Sequence, residues 1–492
     1  MMNLSESISK HSKIKPNYPA IIYESTFISY LQLEKLVNHA TYLIKSEKLS
    51  QGDLVGICLP DTIEHVIAFY ALIRSGVAIL PMDIRWPVEE RKNIISAFSP
   101  KLLLMDDDLN YNLKKIIINK DWLKKIISSL NLDYNNETNT DGSSNLLLSL
   151  STGTTGIPNG PMLTHSQMEA RFITQKKSLY FGEDDIFLAA TPFYFGAGRS
   201  FLMGMIHNGC TVVLMKKPYT AEELVNYIIK YSINVCLLVP TILRKLLKEK
   251  EIEKKLNNKL RLLLSTGSIL HSNERKEVME KICPCLLNYY GSTEGGGVSV
   301  LKWDDPLEKS ESVGKTVYGT VLEIVDDQGI SIGKNNIGRI RYKGPSVAQS
   351  FFIDSEKSSS YFKDGWFYPG DLGYYDSDGY LYLSGRSKDI IIRSGINIYP
   401  AEIENLLISH PMVNDVAVVP WPSKIRGEEI AAFIIPIDKK SFKKNDIIDY
   451  CSKKISRYKI PRDIFLLDEF PKNSVGKILK NKLTEQLKII EE

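Results

Sequence analysis

Two kinds of hydrophobic pattern alternate in the first part of the chain, between Tyr18 and Asp108. SYLQLEKLVNHATYLIKSEKL has the apolar spacing of an amphipathic helix, DLVGICLP is a short apolar run, and HVIAFYALIRSG is an apolar stretch of helical length. The alternation returns further along, where NVCLLVP, RLLLSTG and CLLNYYG are strand-like runs. Short apolar strands that alternate with helices are typical of a sheet covered by helices, so the pattern predicts an α/β fold.

The 492 residues exceed the length at which a single core keeps growing, so we expect more than one domain. From about 314 to 384, short alternating strands with Gly and Asp turns predict a small β-barrel. A helix beginning at Pro400 and two further strands follow. We therefore predict a large N-terminal domain over 1–387, made of stacked α/β subdomains plus the barrel, and a small mobile α+β domain over 388–492.

The composition argues against several classes of protein. The formal net charge is only +4, so we expect no nucleic-acid partner. The six cysteines lie mostly in apolar runs and lack a second pair that would complete a zinc site, which predicts reduced core residues. The sequence after Met1 is polar and no apolar run is long enough to span a bilayer, so we expect a cytoplasmic protein without a transmembrane segment.

STGTTGIPNG, from Ser151 to Gly160, has the composition of a loop that binds phosphate. Glycines let backbone amides turn toward an anion, and hydroxyl groups add donors. A plain surface turn can have the same composition. The Gly-Lys-Ser/Thr ending of a P-loop is missing, so a lysine that contacts phosphate must come from elsewhere. The candidate residues are Ser151, Thr152, Gly153, Thr154, Thr155 and Gly156.

Such a lysine occurs near the end of the sequence, in FPKNSVGKILK. Lys477 follows Gly476 ahead of a short basic amphipathic tail, and we consider it the first catalytic candidate. The alternative is an ordinary solvated lysine in a lysine-rich segment.

Three further segments occur between the loop and this lysine. NYYGSTE, 288–294, ends a strand, GDL, 370–372, lies in the barrel segment, and Gly385-Arg386 opens the segment before the predicted domain boundary. In this order, and over nearly the whole chain, the motifs resemble those of the adenylate-forming superfamily, which contains acyl-CoA synthetases, adenylation domains and firefly luciferase. The resemblance implies ATP-dependent formation of an acyl adenylate with release of pyrophosphate, followed by transfer of the acyl group to a thiol.

The resemblance also implies which residues contact the phosphates. The loop Thr152–Gly156 would hold the β- and γ-phosphates, and Thr293 would donate a hydrogen bond at the α-phosphate. Glu294 would hold Mg²⁺, which takes its other oxygens from the nucleotide and water. Lys477 would bridge the substrate carboxylate and the α-phosphate, so the implied catalytic residues are Lys477, Thr293 and Glu294.

For the nucleoside, the resemblance implies that Tyr290, followed by Gly291, lies against the adenine. Asp371 would accept hydrogen bonds from both ribose hydroxyls, with Arg386 nearby. Taken singly, Tyr290 could be a core residue, and Asp371 and Glu294 could be turn residues.

In the resembled superfamily the small domain rotates between the two steps. The corresponding pivot here is Lys388, and the segment Ile392–Ile398, with Gly395, would face the thiol channel. Such a rotation would let one enzyme offer Lys477 to the first reaction and a thiol to the second.

Three positions, Asn159, Phe195 and Pro369, depart from the superfamily pattern, and the change at Pro369 is conservative in a turn. Asn159 replaces a usual lysine of the phosphate loop, and Phe195 stands where a gate histidine is usual. Gly196 matches the position of an aspartate that binds the ammonium of amino acids, so a free amino acid is disfavoured. The departures at Asn159 and Phe195 leave open an alternative function, a non-catalytic protein that binds a nucleotide or an acyl group.

The acid itself is left open between an aromatic ring and an aliphatic chain. Arg199 either pairs with a second carboxylate of the substrate or is a surface or structural residue at a helix start. For His165, a capping role at a helix start is favoured over chemistry. The implied substrate pocket includes Phe193, Tyr194, Phe195, Gly196, Gly267, Tyr289, Gly295 and Gly296.

The acceptor is expected to be coenzyme A. The tail SRYKIPRDIFLLDEFPKNSVGKILK closely resembles that of acyl-CoA synthetases, and no carrier-protein module follows it in the sequence. The alternative is a stand-alone enzyme that loads a fatty or aryl acid onto the phosphopantetheine arm of a carrier protein. The implied small molecules are therefore ATP, Mg²⁺, a carboxylic acid and coenzyme A.

Overall fold

The computed structural model describes residues 3–128, 140–150, 160–256, 258–353, 355–472 and 477–488. Its helices are α1 Glu6–Ile14, α2 Tyr30–Lys45, α3 Ile63–Ser75, α4 Val88–Phe98, α5 Lys120–Ser128, α6 His165–Ser178, α7 Gly196–His207, α8 Ala221–Lys230, α9 Pro240–Leu246, α10 Ile252–Leu256, α11 Ser272–Lys281, α12 Ser355–Tyr361, α13 Pro400–Ile408, α14 Lys444–Ser452 and α15 Lys480–Thr484. Within these described ranges, none of the helices is both long and apolar enough to cross a membrane.

The strands are short, as the apolar runs predict. They are β1 Pro19–Tyr23, β2 Thr26–Ser29, β3 Leu54–Cys58, β4 Ala78–Pro81, β5 Leu102–Met105, β6 Lys115–Ile117, β7 Asn145–Leu148, β8 Met162–Thr164, β9 Ile186–Ala189, β10 Thr211–Leu214, β11 Val235–Leu238, β12 Leu262–Ser265, β13 Leu286–Ser292, β14 Gly296–Leu301, β15 Lys315–Thr316, β16 Val321–Val325, β17 Gly338–Lys343, β18 Phe362–Lys363, β19 Trp366–Phe367, β20 Asp371–Tyr375, β21 Leu381–Arg386, β22 Ile391–Arg393, β23 Ile396–Ile398, β24 Val413–Ser423, β25 Gly427–Pro436 and β26 Asp463–Leu466.

The chain divides into two units. Unit 1 contains Met1–Leu322 and Tyr342–Phe367, and unit 2 contains Glu323–Arg341 and Tyr368–Glu492. The barrel segment therefore contributes to both units, and the predicted domain boundary at Lys388 stays a prediction.

In the described part of the chain, two sheets lie wholly within unit 1. The order of the larger one is β15-β14-β13-β12-β11-β9-β10-β1-β2, and that of the smaller one is β6-β5-β3-β4-β7-β8. In the smaller sheet β3 pairs in parallel with both β4 and β5, and all five residues of β3 are buried. Parallel strands buried on both faces need continuous apolar sequence, which DLVGICLP supplies. The predicted α/β fold is confirmed.

Capping residues fix where several helices of unit 1 begin. Thr220 caps α8 and forms a capping box with Glu223, as its Thr-x-x-Glu sequence indicates. Thr164 caps α6 in the same way with Gln167, so the expected capping role of His165 is wrong. The buried His165 is instead the first residue of α6, and its Nδ1 accepts a hydrogen bond from the Leu4 amide at 3.2 Å. The donor, Leu4, is far from His165 in the sequence, so the local sequence around His165 cannot indicate this hydrogen bond.

Unit 2 is built around a sheet of order β23-β22-β25-β24, with β26 also paired to β25. The buried side chains of Ile403 and Leu407 on α13 belong to its apolar core, together with apolar residues of β24 and β25. Short antiparallel strands, β20 and β21 among them, occupy the barrel segment as predicted. Its helix α12 was not predicted, because SEKSSSY has no apolar helical period.

All six cysteines lie in the described part of the chain and are free thiols, and five of them are buried. Burial in apolar surroundings raises the pKa of the Cys58 and Cys210 thiols to about 12. They therefore act as small apolar core residues, as the sequence predicts.

Candidate active site

The predicted substrate segments of unit 1 follow parallel strands of the nine-stranded sheet. Strands β9, β11, β12 and β13 all run in parallel. Phe193–Gly196 follows β9, Gly267 follows β12, and Tyr290 and Gly291 lie at the end of β13. Carboxyl ends of parallel strands meet at one edge of a sheet, and open α/β sheets bind ligands there. The sheet topology therefore brings three separate sequence segments to one edge.

A tight turn joins β13 to β14 and carries Thr293 and Glu294. The Gly295 amide donates to Ser292 Oγ at 2.9 Å, and Ser292 Oγ is 2.8 Å from the hydroxyl oxygen of Tyr342. A Cβ added at Gly295 would lie 2.6 Å from that hydroxyl oxygen, and Tyr342 is fully buried. The turn is thus held against an immobile ring, and only glycine fits at 295.

A buried arginine holds the backbone at Glu294. Arg171, on α6, donates from Nη2 to the Glu294 carbonyl oxygen at 2.8 Å and from Nε to the Ser346 carbonyl oxygen at 3.1 Å. The amide of Ala348 donates to the same Glu294 oxygen at 2.8 Å. Burial lowers the pKa of Arg171 to about 10. Two donors on one carbonyl fix the direction in which the half-exposed Glu294 side chain leaves the backbone.

Gly196 leaves room for about one methyl group next to two hydroxyl groups. A Cβ added at Gly196 would lie 3.7 Å from Ser149 Oγ and 3.9 Å from Thr293 Oγ1, which is ordinary contact distance. Gly196 is the first residue of α7, whose N-cap residue, Phe195, makes no side-chain capping bond. The amides of an uncapped helix start and two hydroxyl groups therefore adjoin one small space, and such donors suit an anionic oxygen.

The segment before α7 is anchored to the smaller sheet's side of unit 1. The Phe193 amide donates to the carboxylate of Asp61 at 3.1 Å, and Asp61 is paired with Lys217 Nζ at 2.5 Å. The Phe193 ring is buried and meets the ring of His65 edge-on, with centroids 4.6 Å apart. Phe193, predicted as a pocket residue, is thus also a core contact.

The next two aromatic rings are partly exposed. Tyr194 and Phe195 have ring centroids 4.5 Å apart, and the guanidinium carbon of Arg85 lies 5.1 Å and 5.3 Å from them. Arg85 is in turn paired with Asp83 at 2.8 Å. Burial raises the pKa of the Tyr194 phenol, so this phenol is neutral at pH 7.

Two predicted pocket residues line the strand edge more deeply. Tyr289 is buried, and its carbonyl oxygen accepts from Thr266 Oγ1 at 2.6 Å, which ties β13 to the start of the loop with Gly267. Gly267 has φ +94°, and Gly296 has φ +72° with the Arg171 side chain alongside. Left-handed backbone of this kind favours glycine at both positions.

In unit 2 the structure gathers three predicted residues from distant parts of the sequence. Asp371 on β20 is the cross-strand partner of Arg386 on β21, and Arg386 Nε lies 2.6 Å from Asp371 Oδ1. Lys477 is close enough to both for their charges to act on its pKa. Partial burial, followed by the charge of Arg386, lowers the pKa of Lys477, while Asp371 raises it. The side chain of Lys477 is still exposed, so water screens much of this effect.

The predicted pivot and thiol-channel residues lie elsewhere in unit 2. Lys388 is exposed, in a single 3₁₀ turn over Ser387–Asp389 that directly follows β21. Gly395 is exposed in a two-residue hairpin turn between β22 and β23, and both Ser394 and Gly395 have positive φ. Two left-handed residues are the requirement of a type I′ turn.

The predicted phosphate-loop residues Ser151, Thr152, Gly153, Thr154, Thr155 and Gly156 lie outside the described residues, as does Asn159. The ends of the loop are described. Leu150 follows β7, and the Gly160 carbonyl accepts from the Phe352 amide at 2.9 Å.

Sequence reasoning missed several residues that position this site. Arg171, Ser149, Asp61 and Tyr342 each fix a predicted site segment, but none belongs to a recognisable motif. Arg171 in HSQMEARFITQKK has the local sequence of a solvated helix face. Only the packing of α6 against the β13–β14 turn makes its role visible.

Comparison with known proteins gives matches over most of the chain. The profile described as AMP-binding enzyme matches residues 8–352, and that described as AMP-binding enzyme C-terminal domain matches residues 402–477. Indoleacetate–CoA ligase of Aromatoleum aromaticum is 27% identical, covering 98% of this chain and 97% of its own length. Long-chain-fatty-acid–CoA ligase FadD13 of Mycobacterium tuberculosis is 26% identical, covering 99% of each.

A solved structure extends this similarity to three dimensions. That of o-succinylbenzoate CoA synthetase from Bacillus subtilis, in complex with its acyl-adenylate intermediate, has a TM-score of 0.86 at 26% identity and covers 98% of both chains. Another structure of that synthetase holds ATP and a magnesium ion.

Proposed function

The chain belongs to the AMP-binding enzyme family, and from this premise we propose that it joins a carboxylic acid to the thiol of coenzyme A in two steps. In the first, a carboxylate oxygen attacks the α-phosphorus of ATP, and the bond from that phosphorus to pyrophosphate breaks. In the second, the thiolate of coenzyme A attacks the acyl carbon and AMP leaves. The protein is thus an acid–thiol ligase that forms AMP.

One observation carries the assignment of residues: Lys477, from the end of the described chain, lies by the Asp371–Arg386 pair. A carboxylate that approaches a triphosphate needs positive charge at the reacting oxygens. Lys477 supplies a mobile, exposed cation for this purpose, and we assign it the bridge between the carboxylate and the α-phosphate. Asp371, held by Arg386, would accept the ribose hydroxyls.

The residues of unit 1 fit a bound nucleotide. The space at Gly196 adjoins the hydroxyl oxygens of Ser149 and Thr293, which suit phosphate oxygens as donors. Glu294 offers one carboxylate, and Mg²⁺ needs no more than one or two protein carboxylates beside phosphate oxygens and water. Bound there, Mg²⁺ would neutralise part of the triphosphate charge. Glu294 is suited to this because its backbone is fixed by Arg171.

For the acceptor we propose coenzyme A over a carrier protein. The relatives from Aromatoleum aromaticum and Mycobacterium tuberculosis are both named as CoA ligases, and each matches this chain over nearly its whole length. A phosphopantetheine arm ends in the same thiol, so the chemistry of the second step is shared. A carrier protein would in addition need a docking surface on the enzyme, which coenzyme A does not need.

The experiment measures pyrophosphate release and thioester formation separately. The protein is incubated with Mg-ATP and a panel of aryl, short-, medium- and long-chain acids, and pyrophosphate is followed by a coupled enzymatic assay. For each active acid, coenzyme A and a phosphopantetheinylated carrier protein are then compared as acceptors. Pyrophosphate release with thioester formation on coenzyme A is expected. If the thioester forms only on the carrier protein, the acceptor is the carrier protein and not coenzyme A. If no acid leads to release of pyrophosphate, the ligase function is refuted.

A further inference from the structure

Arg199 is buried beside the small space at Gly196. It lies three residues after Gly196 on α7, so both project from one face of that helix. Its side chain is 2% exposed. Nη1 donates to the Tyr194 carbonyl oxygen at 2.7 Å and to that of Phe193 at 3.3 Å, and Nη2 donates to Ser149 Oγ at 2.9 Å.

No acid compensates this charge within the described parts of the chain. Among the described residues, the donors of Arg199 reach only carbonyl and hydroxyl oxygens, and its Nε has no acceptor. Another buried arginine, Arg74, shows the usual arrangement, because its Nη2 lies 2.8 Å from Glu34 Oε2. A buried cation without a counterion is a costly arrangement that native proteins rarely keep without a use.

A second buried cation lies nearby. Among the described residues, Arg171 donates to the carbonyl oxygens of Glu294 and Ser346, and the charge of the Glu294 carboxylate partly offsets that of Arg171. The charge of Arg171 in turn acts on Arg199. Burial, and then the charge of Arg171, lowers the pKa of Arg199 to about 9. The charge of Arg171 thus makes the buried charge of Arg199 less favourable, and an anion beside the guanidinium of Arg199 would offset this cost.

The position of Arg199 distinguishes between the anions of the reaction. Gly196 faces Thr293, the residue assigned to the α-phosphate, whereas the guanidinium of Arg199 lies against Ser149 Oγ and the two carbonyl oxygens that precede α7. Arg199 is held by Phe193 and Tyr194, which belong to the proposed wall of the acid pocket. The reacting carboxylate is already assigned to Lys477. The guanidinium is thus placed at the wall of the acid pocket, for a group of the acid other than the reacting carboxylate.

We propose that Arg199 binds a second anionic group of the acid, so that the substrate is a dicarboxylic acid, or an acid with an equivalent anion a short spacer away from the reacting carboxylate. This inference rests on the proposed ligase function. It narrows the acid from a plain aryl or alkyl chain to one with a charged far end. Phe193 and Tyr194 carbonyl oxygens orient the guanidinium, and the second anion supplies the missing counterion.

The test compares pairs of acids that differ only at the far end, a carboxylate in one and a methyl group in the other. Succinate with butyrate, adipate with hexanoate, and a carboxyphenylacetate with methylphenylacetate form such pairs. Pyrophosphate release gives kcat/KM for each acid with the full-length wild-type protein, Arg199→Gln and Arg275→Gln. The control Arg275 is also buried and also donates to neutral oxygens, Asn288 Oδ1 at 3.0 Å and the Lys302 carbonyl at 2.6 Å. It differs from Arg199 in that an acid, Asp305, is near enough to raise its pKa.

The wild type should favour the dicarboxylate of at least one pair by about 10²-fold, since a site built for a polar group rejects the analogue that lacks it. Arg199→Gln keeps a donor for the carbonyl oxygens but removes the charge. It should abolish this preference, mainly through KM of the dicarboxylate, while Arg275→Gln keeps it.

Two results would overturn the proposal and leave the ligase function intact. One is a wild type that favours the methyl member of every pair. The other is an Arg199→Gln variant that loses the same factor with both members, which would place Arg199 at the nucleotide or in the fold. The preference of the wild type between the two members of each pair can be measured even if Arg199→Gln does not fold. Absence of pyrophosphate with all acids would instead remove the ligase function itself.

Discussion

Gly295→Ala tests whether the turn that carries Thr293 and Glu294 is rigid. A Cβ at this position would lie 2.6 Å from the hydroxyl oxygen and 2.7 Å from Cζ of Tyr342. The ring carbon Cε2 of Tyr342 is closer still, and ordinary contact begins at 3.4 Å, so the turn and the ring must separate by more than about 1 Å. Tyr342 is fully buried and meets Phe367 edge-on at 5.4 Å, so the ring has little room to yield.

The size of the effect follows from these contacts. Overpacking a filled core costs about 1 to 3 kcal/mol, and loss of the Ser292–Tyr342 hydrogen bond costs about 1 kcal/mol more. We therefore expect the free energy of unfolding to fall by about 2 to 4 kcal/mol. Misplacement of catalytic groups by about 1 Å can cost 10²-fold in rate. Since Thr293 and Glu294 directly precede Gly295, adenylation should slow by about that factor.

Urea unfolding followed by tryptophan fluorescence and pyrophosphate release at saturating acid measure the two effects. The matched control is Gly333→Ala, where the nearest atom to an added Cβ is Asn336 Nδ2 at 3.7 Å and φ is not left-handed. It should resemble the wild type in both assays. If Gly295→Ala also kept the stability and the rate of the wild type, Tyr342 would not hold the turn and a Cβ at position 295 would be tolerated.

Three further predictions concern charge and conformational change. Lys477→Ala should slow adenylation by at least ~10²-fold, because the cation is needed at the α-phosphate. Thioester formation from supplied acyl adenylate should be kept. The two half-reactions are measured separately, and an equal loss in both would contradict this prediction. Lys388→Pro should slow thioester formation and spare adenylation, because proline stiffens the proposed pivot, whereas Lys388→Ala should leave both; an unchanged second step would argue against the pivot. Burial lowers the pKa of His65 from 6.5 to about 4, so the folded state keeps this ring neutral while the unfolded state takes up a proton below pH 6.5. The free energy of unfolding therefore falls as pH falls from 6.5 toward 4, by up to ~1.4 kcal/mol per pH unit. The urea midpoint of His65→Asn should depend less on pH than that of the wild type. Identical pH profiles would show that another group titrates.

The fold was largely predictable because it depends on local signals. Apolar runs of four or five residues gave the buried parallel strands, and Thr220 with Glu223 marked the start of α8. Thr164 and Gln167 carry the same signature at α6, in a T-x-x-Q spacing that identifies the cap without a structure. The expectation for His165 failed because that signature was overlooked.

The site was predictable only where a residue belongs to a motif. Asp371 and Arg386 were singled out from their motifs, and the structure pairs them across β20 and β21. Arg171 and Arg199 carry no comparable signal, because an arginine in a polar helix is usually solvated. Their burial results from the packing of α6 and α7, which no local window of sequence contains.

The cations of the two units differ in how they are held, and this difference separates their expected effects. Arg171 and Arg199 are buried and fixed by carbonyl oxygens, so they cannot follow charge that develops during a reaction. Fixed charges of this kind act equally on the bound substrate and on the transition state, which affects KM and the choice of acid. Lys477 is exposed on a long flexible side chain and can move to the reacting oxygens. Substitution of Arg199 should therefore change specificity, while substitution of Lys477 should lower kcat of the first step.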